Sequence, residues 1–170
     1  MDPTLLFAMG FTALDTVTYV IYNWETWHGR SKRQNWFLWT LWLYLASMNA
    51  FSYLLASGDV VKTILAWENA GMMVITLGTI IYHGKITTAS ITISKKVTAL
   101  LCFIAGVVFL IFRNARHANF ILQAGTATSC IALFGELREN PKSEPSLPWG
   151  MWTGIYIAQT VLVILRWRGN

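Results

Sequence analysis

Charge is what this chain has least of. Only 12% of its 170 residues are Asp, Glu, Lys or Arg, about half the share of an average soluble domain. The 13 basic and 8 acidic side chains cannot cover a globule of this size. A soluble enzyme, a nucleic-acid reader and a disordered regulator are therefore set aside. The two cysteines, Cys102 and Cys130, lie inside apolar runs and form neither a disulfide framework nor a metal-ligand spacing. Three histidines, His28, His83 and His117, stand far apart near the ends of such runs. No HExxH, CxxC, GxSxG or glycine-rich phosphate motif occurs. Ser129 and Cys130 have no base at helical spacing, so catalysis is not expected, and no cofactor or metal is implied. The four prolines, Pro3, Pro141, Pro145 and Pro148, all fall outside helix interiors.

Apolar sequence fills the space that charge leaves: 55% of residues are hydrophobic and 14% aromatic. Runs of about 20 apolar residues, the length that crosses a bilayer, follow one another almost without pause. Six spans are predicted, at 4–24, 36–57, 60–83, 97–113, 118–137 and 148–168, giving an all-α polytopic membrane protein. Met1-Asp2-Pro3 carries no basic n-region, so the first run is read as a retained span rather than a signal peptide. The net charge of +5 sits in loops at span ends, as orientation signals do. With six spans, one face receives Arg30, Lys32, Arg33, Lys85, Lys95, Lys96, Arg138 and Lys142. The other receives Lys62, Arg113, Arg116, Arg166 and Arg168, so the first face is expected to be cytoplasmic and both termini outside.

Nine tryptophans are many for this length, and Trp24, Trp27, Trp36, Trp39, Trp149, Trp152 and Trp167 lie near span ends. There an interfacial belt is the expected role, whereas Trp42 and Trp67 lie deeper. Polar residues inside the spans are more informative. Asp15 lies roughly 16 Å from the outer face at 1.5 Å per residue, Glu68 and Asn69 roughly 12–14 Å. Asn49, Gln123, Thr126 and Gln159 fall roughly 8–14 Å from that same face, so a single polar layer is predicted near the midplane. A carboxylate at the centre of a lone helix costs about 2.5–3.5 kcal/mol, so Asp15 and Glu68 must face the bundle interior. Thr12, Asp15, Tyr19 and Tyr22 share one face of span one. Trp67, Gly71 and Gly78 share a stripe of span three where a neighbouring helix is expected to approach. Span five, 123-QAGTATSCIA-132, is rich enough in small residues to predict the packed centre of the bundle. Each polar residue has a plainer alternative: a bond to a neighbouring helix for the hydroxyls and amides, a structural pair for Asp15 and Glu68.

An internal repeat is present. Trp36-Phe37-Leu38-Trp39-Thr40 recurs as Trp149-Gly150-Met151-Trp152-Thr153, an offset of 113 that lays spans one and two on spans five and six. Each copy follows a charged loop. The run 22-YNWETWHGRSKRQNWFLWTLW-42 resembles the first connection of bacterial proteins in the SWEET/PQ-loop superfamily. The later run 131-IALFGELRENPKSEPSLPWGMW-152 resembles the second-half connection, with its Asn-Pro-x-x-Glu loop. The name-giving Pro-Gln pair and the helix-interior prolines of that superfamily are absent.

The resemblance implies a SWEET-like triple-helix-bundle arrangement: a first bundle at 1–83, a connection and linker helix at 84–117, and a second, incomplete bundle at 118–170. At the repeat offset a counterpart of span three would begin near residue 173, so a homo-oligomer or a partner subunit is expected to complete the unit. The same resemblance implies alternating access and a small polar solute, either a sugar or a vitamin precursor such as nicotinamide riboside. It marks Trp67 and Asn69 on the third span, the first to stack on the solute and the second to hydrogen-bond it. Tyr19, Asn49 and Gln123 join them from the polar layer, and Asp15 or Glu68 is the candidate for a coupling proton. The expected setting is a bilayer, the bacterial inner membrane, with no nucleic-acid partner. The alternative expectation is a non-transporting subunit or receptor derived from the same fold.

Overall fold

The computed structural model of the chain describes residues 3–29, 36–58, 60–83, 92–111, 115–139, 141 and 144–165. Trp167 and the loop cations Arg30, Lys32, Arg33, Lys85, Arg113, Lys142, Arg166 and Arg168 lie outside the described residues. The described residues form six helices: α1 (Pro3–Trp27), α2 (Trp36–Ser57), α3 (Val60–Tyr82), α4 (Ile93–Leu110), α5 (Ala115–Glu139) and α6 (Ser146–Leu165). Pro3 opens α1, where a missing N–H is harmless. Gly58 ends α2 with φ +60 and its N–H 2.9 Å from the Leu54 carbonyl, a left-handed cap that favours glycine. Predicted and observed helices agree to within a few residues, the largest difference being α4, which starts at Ile93 rather than 97.

Among the described residues, four helical stretches are long and apolar enough to cross a membrane: Thr4–Trp27, Thr63–Tyr82, Ile93–Leu110 and Phe120–Glu139. The outward surface fits that setting. Phe7, Leu55, Phe103 and Phe134 are each more than 60% exposed, while Thr18, Thr26, Ser52, Thr76, Thr98 and Ser129 are fully buried. A soluble fold shows the reverse. In lipid, apolar side chains lose nothing by facing out, and hydroxyls gain by turning in to bond a carbonyl or a neighbouring helix. The remaining helices, α2 and α6, are 22 and 20 residues long and are also predominantly apolar.

Within the assembly α3 lies between α1 and α2, α2 packs also on α5 and α4, α4 and α5 form the most extensive pair, and α6 lies on α1. Side-chain hydrogen bonds give the directions. Thr16 to Glu68 and Asn23 to Thr76, at 2.7 and 3.0 Å, advance together, so α1 and α3 run parallel. Trp42 to Ser129 and Gln123 to Asn49, at 2.8 and 3.2 Å, run in opposite order, so α2 and α5 are antiparallel. Thr98 with Thr128 at 2.9 Å, and the buried Lys95 paired with Glu136, make α4 and α5 antiparallel. Tyr22 bonded to Glu144, and Tyr19 packed on Trp152, do the same for α1 and α6.

Three expectations are corrected. Trp39, Trp149 and Trp152 do not join an interfacial belt. Trp39 and Trp152 are only 2% and 5% exposed, and with Trp42, Trp149 and Tyr22 they form an aromatic cluster of ring centroids 5.0–6.4 Å apart. Their second ring in each WxxWT motif points inward because two helix starts converge there. Among the described residues no neighbouring helix comes close to Gly71 or Gly78: a Cβ at either would meet nothing within 4 Å. Helix α5 is not the packed centre. Leu122, Gly125, Ser129 and Leu133 turn inward, while Gln123, Thr126, Ala127 and Cys130 are exposed. Small residues all round a helix carry no facial signal, so the sequence could not choose a side.

Candidate functional site

Helix α1 places Asp15 halfway along its length, and Tyr19 and Tyr22 follow on the same face at one-turn intervals. Asp15 is 1% exposed. Its carboxyl group faces Glu68 of α3 and the indole N–H of Trp152 of α6, yet neither oxygen makes a hydrogen bond of normal geometry. Glu68 accepts a bond from Thr16 at 2.7 Å through Oε1, leaving Oε2 buried and unpartnered. Two facing carboxyl groups repel when both are ionised, so the pair calls for a proton or another cation between them.

Asn69 lies one residue further along α3 and joins three helices. Its Oδ1 accepts from the Tyr19 hydroxyl, and its Nδ2 donates to the Tyr156 hydroxyl of α6. Trp152, Tyr156 and Gln159 form one stripe of α6 at i, i+4, i+7 spacing. The Gln159 Oε1 atom is likewise buried without a partner. Tyr19 packs edge-on against Trp152 with centroids 4.9 Å apart. The cluster therefore combines two carboxyl groups, an amide, two phenols and an indole, drawn from α1, α3 and α6.

Of the residues predicted for the site, Asp15, Tyr19, Glu68 and Asn69 are brought together here. Asn49 and Gln123 are placed elsewhere, bonded to each other between α2 and α5, so the polar layer resolves into two patches. Trp67 is also apart. Two residues before Asn69, it projects from the other side of α3, is 39% exposed, and packs edge-on against Phe51 at 4.6 Å. Thr126 bonds the Leu122 carbonyl of its own helix. The ring at the site is Trp152, which together with Tyr156 was missed. The stripe they share with Gln159 is visible in span six once Gln159 is taken as inward-facing.

Beyond the aromatic cluster lies a further, half-buried carboxyl group, Glu144, in the segment between α5 and α6. It accepts a hydrogen bond from Tyr22 at 2.6 Å and from the Trp149 indole at 3.4 Å. Burial pushes its pKa up to about 7, outweighing those two hydrogen bonds, with Glu136 adding a like charge. A groove of about 490 Å³ between α1 and α3 is lined by Val20, Trp24, Trp27 and Ile75 among others, and contains none of the predicted site residues. No group of three or more His, Cys, Asp or Glu side chains suited to a metal occurs among the described residues.

No family model matches the chain, and neither a curated protein nor a solved structure is detectably similar to it.

Proposed function

We propose that the chain is a membrane transporter or facilitator of a small polar organic solute, with its site at Asp15, Tyr19, Glu68, Asn69, Trp152 and Tyr156. The observation that carries this reading is the convergence of polar groups from α1, α3 and α6, several of them buried and unpartnered at mid-helix. Intramembrane polar groups are costly and ordinarily mark a pathway or a site. Asn69 offers both donor and acceptor to a solute, and Trp152 offers a ring face or its N–H. Asp15 and Glu68 would hold a coupling proton. The aromatic cluster of Trp39, Trp42, Trp149 and Trp152 separates this site from the α5–α6 segment, as a closed gate on one side would in alternating access. The finer reading, a six-span SWEET-like unit of the bacterial inner membrane with the N-terminus outside, rests on the resemblance of the two charged connections. It carries with it sugars and vitamin precursors as solutes, and a second copy or partner subunit to complete the unit.

The test is uptake into proteoliposomes of a panel of sugars, nucleosides and vitamin precursors. Asn69→Ala should abolish uptake of whichever solute the parent carries while leaving membrane expression intact; uptake equal to the parent would remove Asn69 from the site. One observation supports the second reading, a non-transporting subunit: the open glycine stripe at Gly71 and Gly78 offers a partner helix close approach. Cross-linking in native membranes separates the two, since a stable complex with an unrelated protein favours a subunit and a homo-oligomer favours transport.

A further inference from the structure

The hydrogen-bonding balance of the site is lopsided. Among the described residues, its unpartnered buried atoms are Asp15 Oδ1 and Oδ2 and Glu68 Oε2 on the accepting side, and Trp152 Nε1 alone on the donating side. Charge is equally one-sided. The ion pair formed within the bundle, Lys95 with Glu136, belongs to α4 and α5, and no cationic side chain among the described residues acts on Asp15. Aromatic rings border the carboxyl groups: Trp152 faces Asp15, and Tyr19 packs on Trp152.

From this balance the geometry points to a protonated amine as the group the site recognises, held between Asp15 and Glu68. The inference rests on the reading of this cluster as a solute site and narrows its substrate class. An ammonium group donates up to three hydrogen bonds and accepts none, which matches a set of orphaned acceptors. Its charge also offsets that of one of the two carboxylates. A neutral sugar hydroxyl both donates and accepts, so it serves the acceptors less well and leaves the charge uncompensated. A proton alone would bridge one oxygen of each carboxyl group, but would leave the third orphaned oxygen unserved.

The experiment is thermal unfolding of the detergent-purified full chain with matched probes near neutral pH: glucosamine against glucose, and ethanolamine against ethylene glycol. A ligand that binds only the folded state raises its stability. Glucosamine and ethanolamine are expected to stabilise the parent, with affinities at least about tenfold above their neutral counterparts. Acidification should weaken the effect, because protons compete for the same oxygens. Asp15→Asn should remove it, and Glu68→Gln provides a second variant should the first fail to fold. Equal shifts with glucose and glucosamine, both lost in Asn69→Ala, would overturn the amine inference and leave the solute site standing. An amine shift unchanged in folded Asp15→Asn, or no shift with any probe at millimolar concentration, would overturn it too. In the last case uptake by Asn69→Ala decides separately whether the site reading survives.

Discussion

Glu144 is held where burial and hydrogen bonding act in opposite directions, and burial prevails. Its carboxyl group ionises near 4.5 in an open chain and near 7 in the folded protein. Between those values the native state binds a proton that the unfolded state has released, so stability falls as pH rises. Across that window the loss attributable to Glu144 is on the order of 3 kcal/mol, at about 1.36 kcal/mol per pKa unit. Glu144→Gln, which keeps an acceptor for Tyr22, should flatten the fall in unfolding temperature between about pH 4.5 and 7. An unchanged slope in the variant would assign the pH dependence to other groups. Sequence reading met Glu144 only as part of a loop motif, because nothing in a charged loop announces that one carboxyl folds back under Tyr22. Asp15, Glu68 and Asn69 were legible for the opposite reason. In an apolar span a carboxyl or amide has few tolerable positions, and all of them face inward. Trp67 and Trp152 show where that logic stops, since an indole is accepted by lipid, by a site or by a core alike.

At the scale of elements, helix extents were readable because apolar runs of spanning length are bounded by charged loops, but the facing of each helix was not. The two WxxWT copies make the point in the other direction. Thr40 and Thr153 each bond the carbonyl four residues back, at 2.9 and 2.8 Å, and Trp39 and Trp152 turn toward one another with centroids 6.4 Å apart. The i−4 bond is general to threonines of these helices, and Trp36 is exposed where Trp149 joins the cluster, so the two motifs share one inward ring. Glycines divide by what surrounds them. A Cβ on Gly125 of α5 would lie 3.1 Å from Leu45 Cδ2 and 3.7 Å from Leu101 Cβ, where α2, α4 and α5 meet. Gly125→Leu should therefore destabilise the detergent-solubilised protein by about 1–3 kcal/mol through overpacking. Gly71→Ala adds a methyl group to open space and should be neutral or gain up to about 1 kcal/mol from helix propensity. Thermal unfolding of the two variants checks both signs. A destabilisation by Gly71→Ala comparable to that by Gly125→Leu would mean that the α3 stripe is occupied by another helix in the purified protein.

For the whole molecule, helix directions constrain how the chain threads a membrane. Helices α1 and α3 are neighbours that run parallel, through Thr16 with Glu68 and Asn23 with Thr76. Both are long and apolar enough to cross. A chain that crosses twice in the same sense must return between the two crossings, and α2 is the element available to carry it back. The remaining pairs extend the argument: α5 opposes α2, α4 opposes α5, and α6 opposes α1. Successive helices therefore alternate in direction from α1 to α6. Such alternation predicts that both termini lie on one side and the α5–α6 segment on the other. The distribution of Lys and Arg, seven against five once Lys95, buried in α4 and paired with Glu136, is left out, further predicts that the termini are on the non-cytoplasmic side. Reporter fusions active only in one compartment, placed at each terminus and after Pro141, measure this directly. Matching signals from the two termini and the opposite signal after Pro141 are expected. Opposite signals from the termini would show that an odd number of helices crosses, and would remove α2 or α6 from the membrane-spanning set.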